Sequence, residues 1–529
     1  MKKQHKTKPY KPTITFNIRR SAVLISYAVA GLACICAAAC YAELCVEYPV
    51  SGSAFTYVMV TFGEYPAYLT MGMLLAEYVL GMAAVARGFS QYFAQLLNQS
   101  VTLFTFDDNG IRVDFFAFGL VLALSAALSF GVRESSFFLA ACTLLKLFFI
   151  AFICIAGFAN ANGSKFLEAF PNTGQERDGV FQATAFIFFA YVAFDAVCNA
   201  VEETQKPTRI PNAIIGTVLV STIVYMAMSA SLSLIVLPST LMECVTDVGD
   251  LISPQPETCE YPNEPGYALS YTVAFNGVNL PWMQFIVAIT ALLGITTSLL
   301  VGLYSVARLA MVAARTWLLP APLARISPRT QTPLIAQMSL GCIIAVISCL
   351  VRFNTLSELV SLAALFAMWM VCNAVLFRRY YPDVKLRFTA HGTVEAELSK
   401  ALWWMPGAIF PKTARRALVW LHLFAINFTS FGFVIYYRLT LYPCPTDVNN
   451  PEYETCRTSG LGHERSWLLT MIWVACWAGA TISMFLLCPL EYQPKAWGIK
   501  WWLLPFMPSF AILLIAARYV LYPLALAPS

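Results

Sequence analysis

Asp195 lies inside an apolar run, FIFFAYVAFDAVCNAVEETQKPTRIP (Phe186 to Pro211), whose polar end carries Glu202, Glu203, Lys206, Pro207, Arg209 and Pro211. An ionisable side chain in such a run is costly in hydrocarbon and marks binding or coupling by default. Lys146, in TLLKLFFIAFI, is a second such group. A buried lysine can release a proton and so couple to one, although a lysine near a helix end also snorkels to the headgroups. Thr296, Thr297 and Ser298 cluster mid-run in ALLGITTSLLVGLYSVARLAM. Their hydroxyls can ligate an ion or simply bridge helices. Glu77, in LLAEYVLG, can pair with Arg87, with Lys146 or with a cationic ligand, or be a satisfied structural carboxylate. Glu43 and Glu47 flank a short polar loop and are expected to organise it.

Other chemistry finds little support. The four His, at 5, 391, 422 and 463, are scattered without HExxH or zinc spacing, and no GxxxxGK[ST] phosphate loop occurs. No enzyme activity, cofactor or metal is expected, and any work done must draw on a gradient.

The elements that must position these residues follow from composition. The 529 residues are 59% hydrophobic and 12% charged, about half the charge of an ordinary soluble domain. Apolar runs of about 20 residues match a hydrocarbon core of about 30 Å. Twelve spans are expected: Ser21 to Ala42, Pro66 to Leu96, Val113 to Gly131, Phe137 to Ala159, Val180 to Val201, Asn212 to Val236, Pro281 to Ala307, Pro333 to Val351, Leu356 to Phe377, Ala417 to Tyr437, Trp467 to Leu487 and Trp501 to Tyr522. The fold class is an all-α polytopic membrane protein with the lipid bilayer as partner. The net charge of +5, spread between apolar runs, points to cytoplasmic loops and implies no nucleic acid.

Loop charge sets the orientation. Alternate loops carry 17 basic residues in one set, eight of them between Arg378 and Arg416, and 7 in the other. The richer set is cytoplasmic. Of sixteen Cys, most lie within apolar runs as small buried residues. Cys244 with Cys259, and Cys444 with Cys456, fall in outer polar loops and are disulfide candidates. The tail Met1 to Arg20 carries seven basic residues yet the alternation places it outside. A translocated tail, a further helix near residue 20, or a signal-peptide n-region would each account for it.

Four stretches carry a resemblance: CYAELCVEYPVSGSAFTYVMVTFGEYPAYLTMGMLLAEYVLGMAAVARGFSQYFAQLL, AYVAFDAVCNAVEETQKPTRIP, SVARLAMVAARTWLLPAPLARISPRTQTP and QPKAWGIKWWLLPFMPS. Together they resemble the plant-type branch of the cationic amino acid transporter family, within the amino acid, polyamine and organocation superfamily. The likeness runs from Ser21 to Pro508. It implies a LeuT-like inverted-repeat fold, with the substrate held at mid-membrane where two helices break. Half-helix ends there offer N–H groups to a carboxylate and C=O groups to an ammonium.

On that mapping residues 1–20 are a basic tail, 21–159 a first repeat with four helices, 180–378 a second repeat with five, 379–416 a cytoplasmic loop and 417–529 the C-terminal helices. The resemblance implies a small-molecule amino acid substrate, cationic in type (arginine, lysine), carried by alternating access. It assigns substrate contact to Tyr191, Val192, Ala193, Phe194 and Asp195, and ion coupling to Lys146, Thr296, Thr297 and Ser298; Glu77 is added from its own placement as a second carboxylate open to a basic side chain. It also implies the plasma membrane, with the vacuolar membrane as the alternative. Two positions depart from the family pattern. Ala193 stands where Gly is usual, and Arg209, Ile210, Pro211 is one residue short. The family's Gly-rich first helix has no counterpart in residues 1–20. That absence supports a second expectation, a non-transporting truncated product or incomplete version acting as a partner or sensor.

Overall fold

The computed structural model describes residues 20–97, 105–108, 111–129, 136–161, 278–328, 332–381 except 352, and 412–440. Most of 187–235 and a few residues in 184, 271–275 and 475–484 are also described. The chain opens with α1 (Arg20–Glu47), α2 (Ser53–Phe62) and α3 (Glu64–Leu96). A hairpin, β1 (Thr105–Asp108) with β2 (Ile111–Asp114), leads to α4 (Phe115–Ser129) and α5 (Ser136–Ala159). A broken segment then carries a 3-10 turn at Phe188–Tyr191 and the single turn α6 (Ala196–Asn199). There follow α7 (Ile210–Ile235), α8 (Met283–Arg315), a 3-10 turn at Ala321–Ala324, α9 (Leu334–Leu350), α10 (Phe353–Tyr380) and α11 (Lys412–Thr440).

Six of these helices are long and apolar enough to cross a bilayer, and α2, α4, the broken segment and α9 are shorter apolar pieces. The chain is therefore an integral membrane protein of helical type. The small hairpin departs from the all-α expectation. Its signal was present in Asp108-Asn109-Gly110, since Asn-Gly between short polar-apolar runs favours a tight turn. Two spans end later than expected, because α1 runs to Glu47 and α8 to Arg315. At about 1.5 Å per residue, the 33 residues of α3 and of α8 reach about 50 Å, well beyond the hydrocarbon core. Both helices must tilt or project beyond the hydrocarbon core. The last span, Trp501 to Tyr522, lies outside the described residues, as do both cysteine pairs.

The packing has an internal order. Helix α1 lies along α7, α3 along α8, and α4 along α9. Exchanging the set α1, α3, α4, α5 with the set α7, α8, α9, α10 carries the α3–α10 contact onto α8–α5. The same exchange carries α3–α9 onto α8–α4 and α1–α10 onto α7–α5, and all of these contacts exist. Packing that maps onto itself in this way is what two repeats related by a two-fold axis generate.

Small residues let the long helices approach. At the α3–α8 crossing a Cβ on Gly302 would fall on the Met82 thioether, and Ala83, Ala84 and Ala86 are fully buried nearby. Between α4 and α9, Gly341 faces Ser125 in the same way. Outside this core α11 docks on α10 through polar groups. Trp369 Nε1 donates to Asn427 Oδ1 at 2.8 Å, and Asn427 Nδ2 donates to Asn373 Oδ1 at 2.9 Å.

Candidate substrate and coupling site

The break begins where helix geometry fails. Phe188–Tyr191 form a 3-10 turn, Val192 is extended (φ −60°, ψ 154°), Phe194 and Asp195 lie in a turn, and α-helix resumes at Ala196. β-branched and aromatic residues around the break disfavour continuous helix, and the interrupted ladder leaves carbonyls that need donors. Tyrosines supply them. Tyr225 of α7 donates to Ala190 O at 3.0 Å, and Tyr191 donates to Tyr27 O of α1 at 3.1 Å. The Tyr225 ring lies between the other two, tilted against Tyr27 with centroids 5.7 Å apart and edge-on to Tyr191 at 5.3 Å. Further along, Ser51 donates to Asn199 O at 3.3 Å.

Asp195 is 3% exposed. Its carboxylate takes two hydroxyl donors, Tyr78 of α3 at 3.0 Å on Oδ1 and Ser53 of α2 at 3.2 Å on Oδ2. Asn199, one turn on, places Nδ2 3.5 Å from the Tyr78 hydroxyl. Beside it the Phe194 ring meets Tyr41 edge-on at 5.5 Å. Ala193 lies outside the described residues. Glu77 neighbours Tyr78 on α3 and is 3% exposed. A pairing with Arg87, one of the alternatives the sequence left open, would have to bridge ten residues, about 15 Å along the helix axis. Arg87 instead donates to Ser348 O and Cys349 O at the end of α9, at 2.7 and 2.9 Å.

The coupling residues divide. The Lys146 stem lies against Gly294 of α8, where an added Cβ would sit 3.3 Å from its Cδ. Thr297, buried, is one turn along the same face. Its hydroxyl donates to Leu293 O at 2.9 Å and Gly294 O at 3.0 Å, and Thr296 donates to Leu292 O at 2.8 Å. Ser298 is exposed. The Lys146 stem thus meets α8 at Gly294, one turn before the buried Thr297.

A matching family model decides the relationship: that of the amino acid permeases, matched over residues 12–447. The chain belongs to the amino acid permease family. Cationic amino acid transporter 1 of Arabidopsis thaliana is 30% identical over 93% of this permease and 71% of its own length. The vacuolar cationic amino acid transporter 8 of the same plant is likewise 30% identical, over 93% and 71%. The branched-chain amino acid permease BcaP of Bacillus subtilis is 31% identical over 70% of this permease and 76% of its own chain. The relatives therefore include carriers named for different side-chain classes. These are transporters, and an amino acid permease embedded in a membrane is the activity class of this chain.

Ion pairs missed by the sequence reading join the ends of α1 and α10. Glu47 at the end of α1 pairs with Arg378 at the end of α10, and Glu43 pairs with Arg379, Nε to Oε1 at 3.0 Å. Arg378 also lies over the Tyr48 ring, 4.7 Å from its centroid. Glu43 and Glu47 do organise the loop, as expected, and they do so by tying it to α10. Sequence reasoning missed Tyr78, Ser53 and Tyr225 as well. Gly52-Ser53 was the available signal, because Ser53 takes φ +46° and Gly52 φ +116°, conformations that L side chains rarely hold.

Proposed function

We propose that this permease carries cationic amino acids, arginine and lysine, by alternating access between repeats spanning 21–159 and 180–378, joined by the 379–416 loop to C-terminal helices over 417–529. The observation that carries the reading is the break at Tyr191–Asp195, set within two sets of helices whose packing is exchangeable. A break at membrane depth is tolerated only where protein or a water-filled cavity satisfies its backbone. Backbone groups of Val192 and Phe194 that the 3-10 turn does not use, with Tyr191 beside them, would receive the α-carboxylate and α-ammonium of the substrate. Glu77, buried on the adjacent helix, is the carboxylate for a basic side chain. Lys146, whose stem lies against Gly294, and Thr297, one turn on from that glycine, would hold the coupling position, with the lysine's ammonium exchanging a proton during the cycle.

The cationic preference draws on the two plant relatives named for it; BcaP is the counterexample that makes a test necessary. Uptake of labelled arginine, lysine and leucine by transporter-deficient yeast expressing the chain decides it, with surface level measured in parallel. Arginine uptake competed by excess lysine is expected. Leucine uptake without arginine uptake would replace the cationic reading with a neutral one, and surface protein that carries none would return the non-transporting reading. We further place the permease in the plasma membrane, and a fluorescent fusion found at the vacuolar membrane would overturn that.

A further inference from the structure

We infer that the Asp195 carboxylate is a positioning group, fastened by Tyr78 and Ser53, that holds the inner half of the broken helix against α2 and α3, rather than a receptor for the substrate's charged side chain. The inference rests on the reading that the break is the substrate site, and it changes the role of the one acidic residue in that break.

Three observations carry it. First, both carboxylate oxygens already accept hydroxyl donors, from Tyr78 at 3.0 Å and Ser53 at 3.2 Å, in a site where Ser53, Tyr78 and Asp195 are each at most 3% exposed. Each oxygen keeps a second lone pair, but a substrate's charged side chain would have to reach it past the groups that leave Asp195 only 3% exposed. Second, the donors run in one direction. Asn199 Nδ2 approaches the Tyr78 oxygen at 3.5 Å, Tyr78 donates to Asp195, and Ser51 donates to Asn199 O at 3.3 Å. The network therefore closes on α6 from two sides and ties its single turn to α2 and α3. Third, Ser53 holds φ +46°, beside Gly52 at +116°, where a Cβ would press on Thr56 and on Val312 of α8. Such a backbone persists when its surroundings over-determine it, and the bond to Asp195 is part of what they impose. The α2 start is thus clamped between α8 and the broken helix.

The test uses the full chain in yeast membranes, with Asp195→Asn, Tyr78→Phe, Ser53→Ala and the Tyr78→Phe/Asp195→Asn double variant. Two readouts are taken: uptake kinetics for arginine and for leucine, and the rate at which N-ethylmaleimide alkylates Cys198, followed by peptide mass spectrometry. Cys198 is fully buried one turn after Asp195, so its reactivity reports whether α6 remains seated. A positioning role predicts that Asp195→Asn lowers Vmax at least tenfold for whichever amino acid the wild type carries, with KM within about threefold. Tyr78→Phe should lower Vmax several-fold, the double variant should be no worse than Asp195→Asn alone, and Cys198 should react faster in all four. The inference is overturned if Asp195→Asn raises KM for arginine while sparing leucine, if the double variant shows the product of the single effects, or if Cys198 reactivity does not change. The alkylation readout needs no transport, so a wild type that carries neither substrate sinks the proposed function and leaves this inference still decided by Cys198.

Discussion

Glu47→Gln is expected to cost this permease much of its stability, and the charge-exchanged pair Glu47→Arg/Arg378→Glu to restore most of it. The Glu47 and Arg378 side chains are 4% and 5% exposed, which separates them from surface ion pairs worth about 0–1 kcal/mol. Removing one partner of a buried pair leaves an uncompensated charge and costs about 3–5 kcal/mol. In the exchanged variant the pair is re-formed. A cation at the C-terminal end of α1 gains about 0.3–1 kcal/mol from the helix dipole, and a carboxylate at the end of α10 loses about the same. Arg378 over Tyr48 is lost, at about 1 kcal/mol. The double variant should therefore fall about 1 kcal/mol below wild type, against about 3–5 for Glu47→Gln or Arg378→Gln. Gel filtration of a fluorescent fusion after graded heating reads this as the temperature at which the monodisperse peak halves. A Glu47→Gln protein as heat-resistant as wild type, or an exchanged pair no better than its single components, would refute the reasoning.

Gly302→Ala should destabilise by about 1–3 kcal/mol by driving a methyl into Met82, and Met82→Ala should relieve it, a pairing readable in the same heating assay. Gly52→Ala combines a φ of +116° with contact on Thr56 and Val312, and about 1–3 kcal/mol of strain is expected, seen as lower surface expression. Lys146→Met preserves the stem against Gly294 and removes the charge, so uptake should fall more than tenfold at unchanged surface level; retained uptake would remove the lysine from the coupling scheme. Tyr225→Phe leaves Ala190 O without its donor and should slow uptake severalfold while the ring contacts with Tyr27 and Tyr191 persist.

Hydropathy located the helices because the bilayer demands about 20 apolar residues whatever the neighbours are. Asp195 was conspicuous for the same reason, as an aspartate in an apolar run, whereas the break at Tyr191–Asp195 came only from the family resemblance, the run itself reading as one continuous span. What the run could not disclose was the partner. Tyr78 and Ser53 lie 117 and 142 residues away, and only the crossing of α3 beside the broken segment brings them to Asp195. Arg378 and Arg379 read as two more loop charges because their pairing depends on α1 and α10 ending at the same level. Ser298 looked equivalent to Thr297 in a row of hydroxyls, and both fall three or four residues from Gly294 on the helix; what separates them is burial, since Thr297 is covered by its neighbours and Ser298 is exposed.

The broken helix is held at both ends by different chemistry, and the difference bears on how it can work. On the outer side the clamps are tyrosine hydroxyls on backbone carbonyls, at Ala190 and Tyr27, bonds a ring can remake with another carbonyl after a small shift. Toward the inner side the clamp is a carboxylate shared by two hydroxyls from two elements, and charge-assisted bonds of this kind are about twice as strong as neutral ones. An opening motion that rotates the segment therefore meets less resistance at Tyr191 than at Asp195. Motion of the Asp195 half must either carry α2 and α3 along with it or break both bonds together, and α2 and α3 are themselves packed on one another.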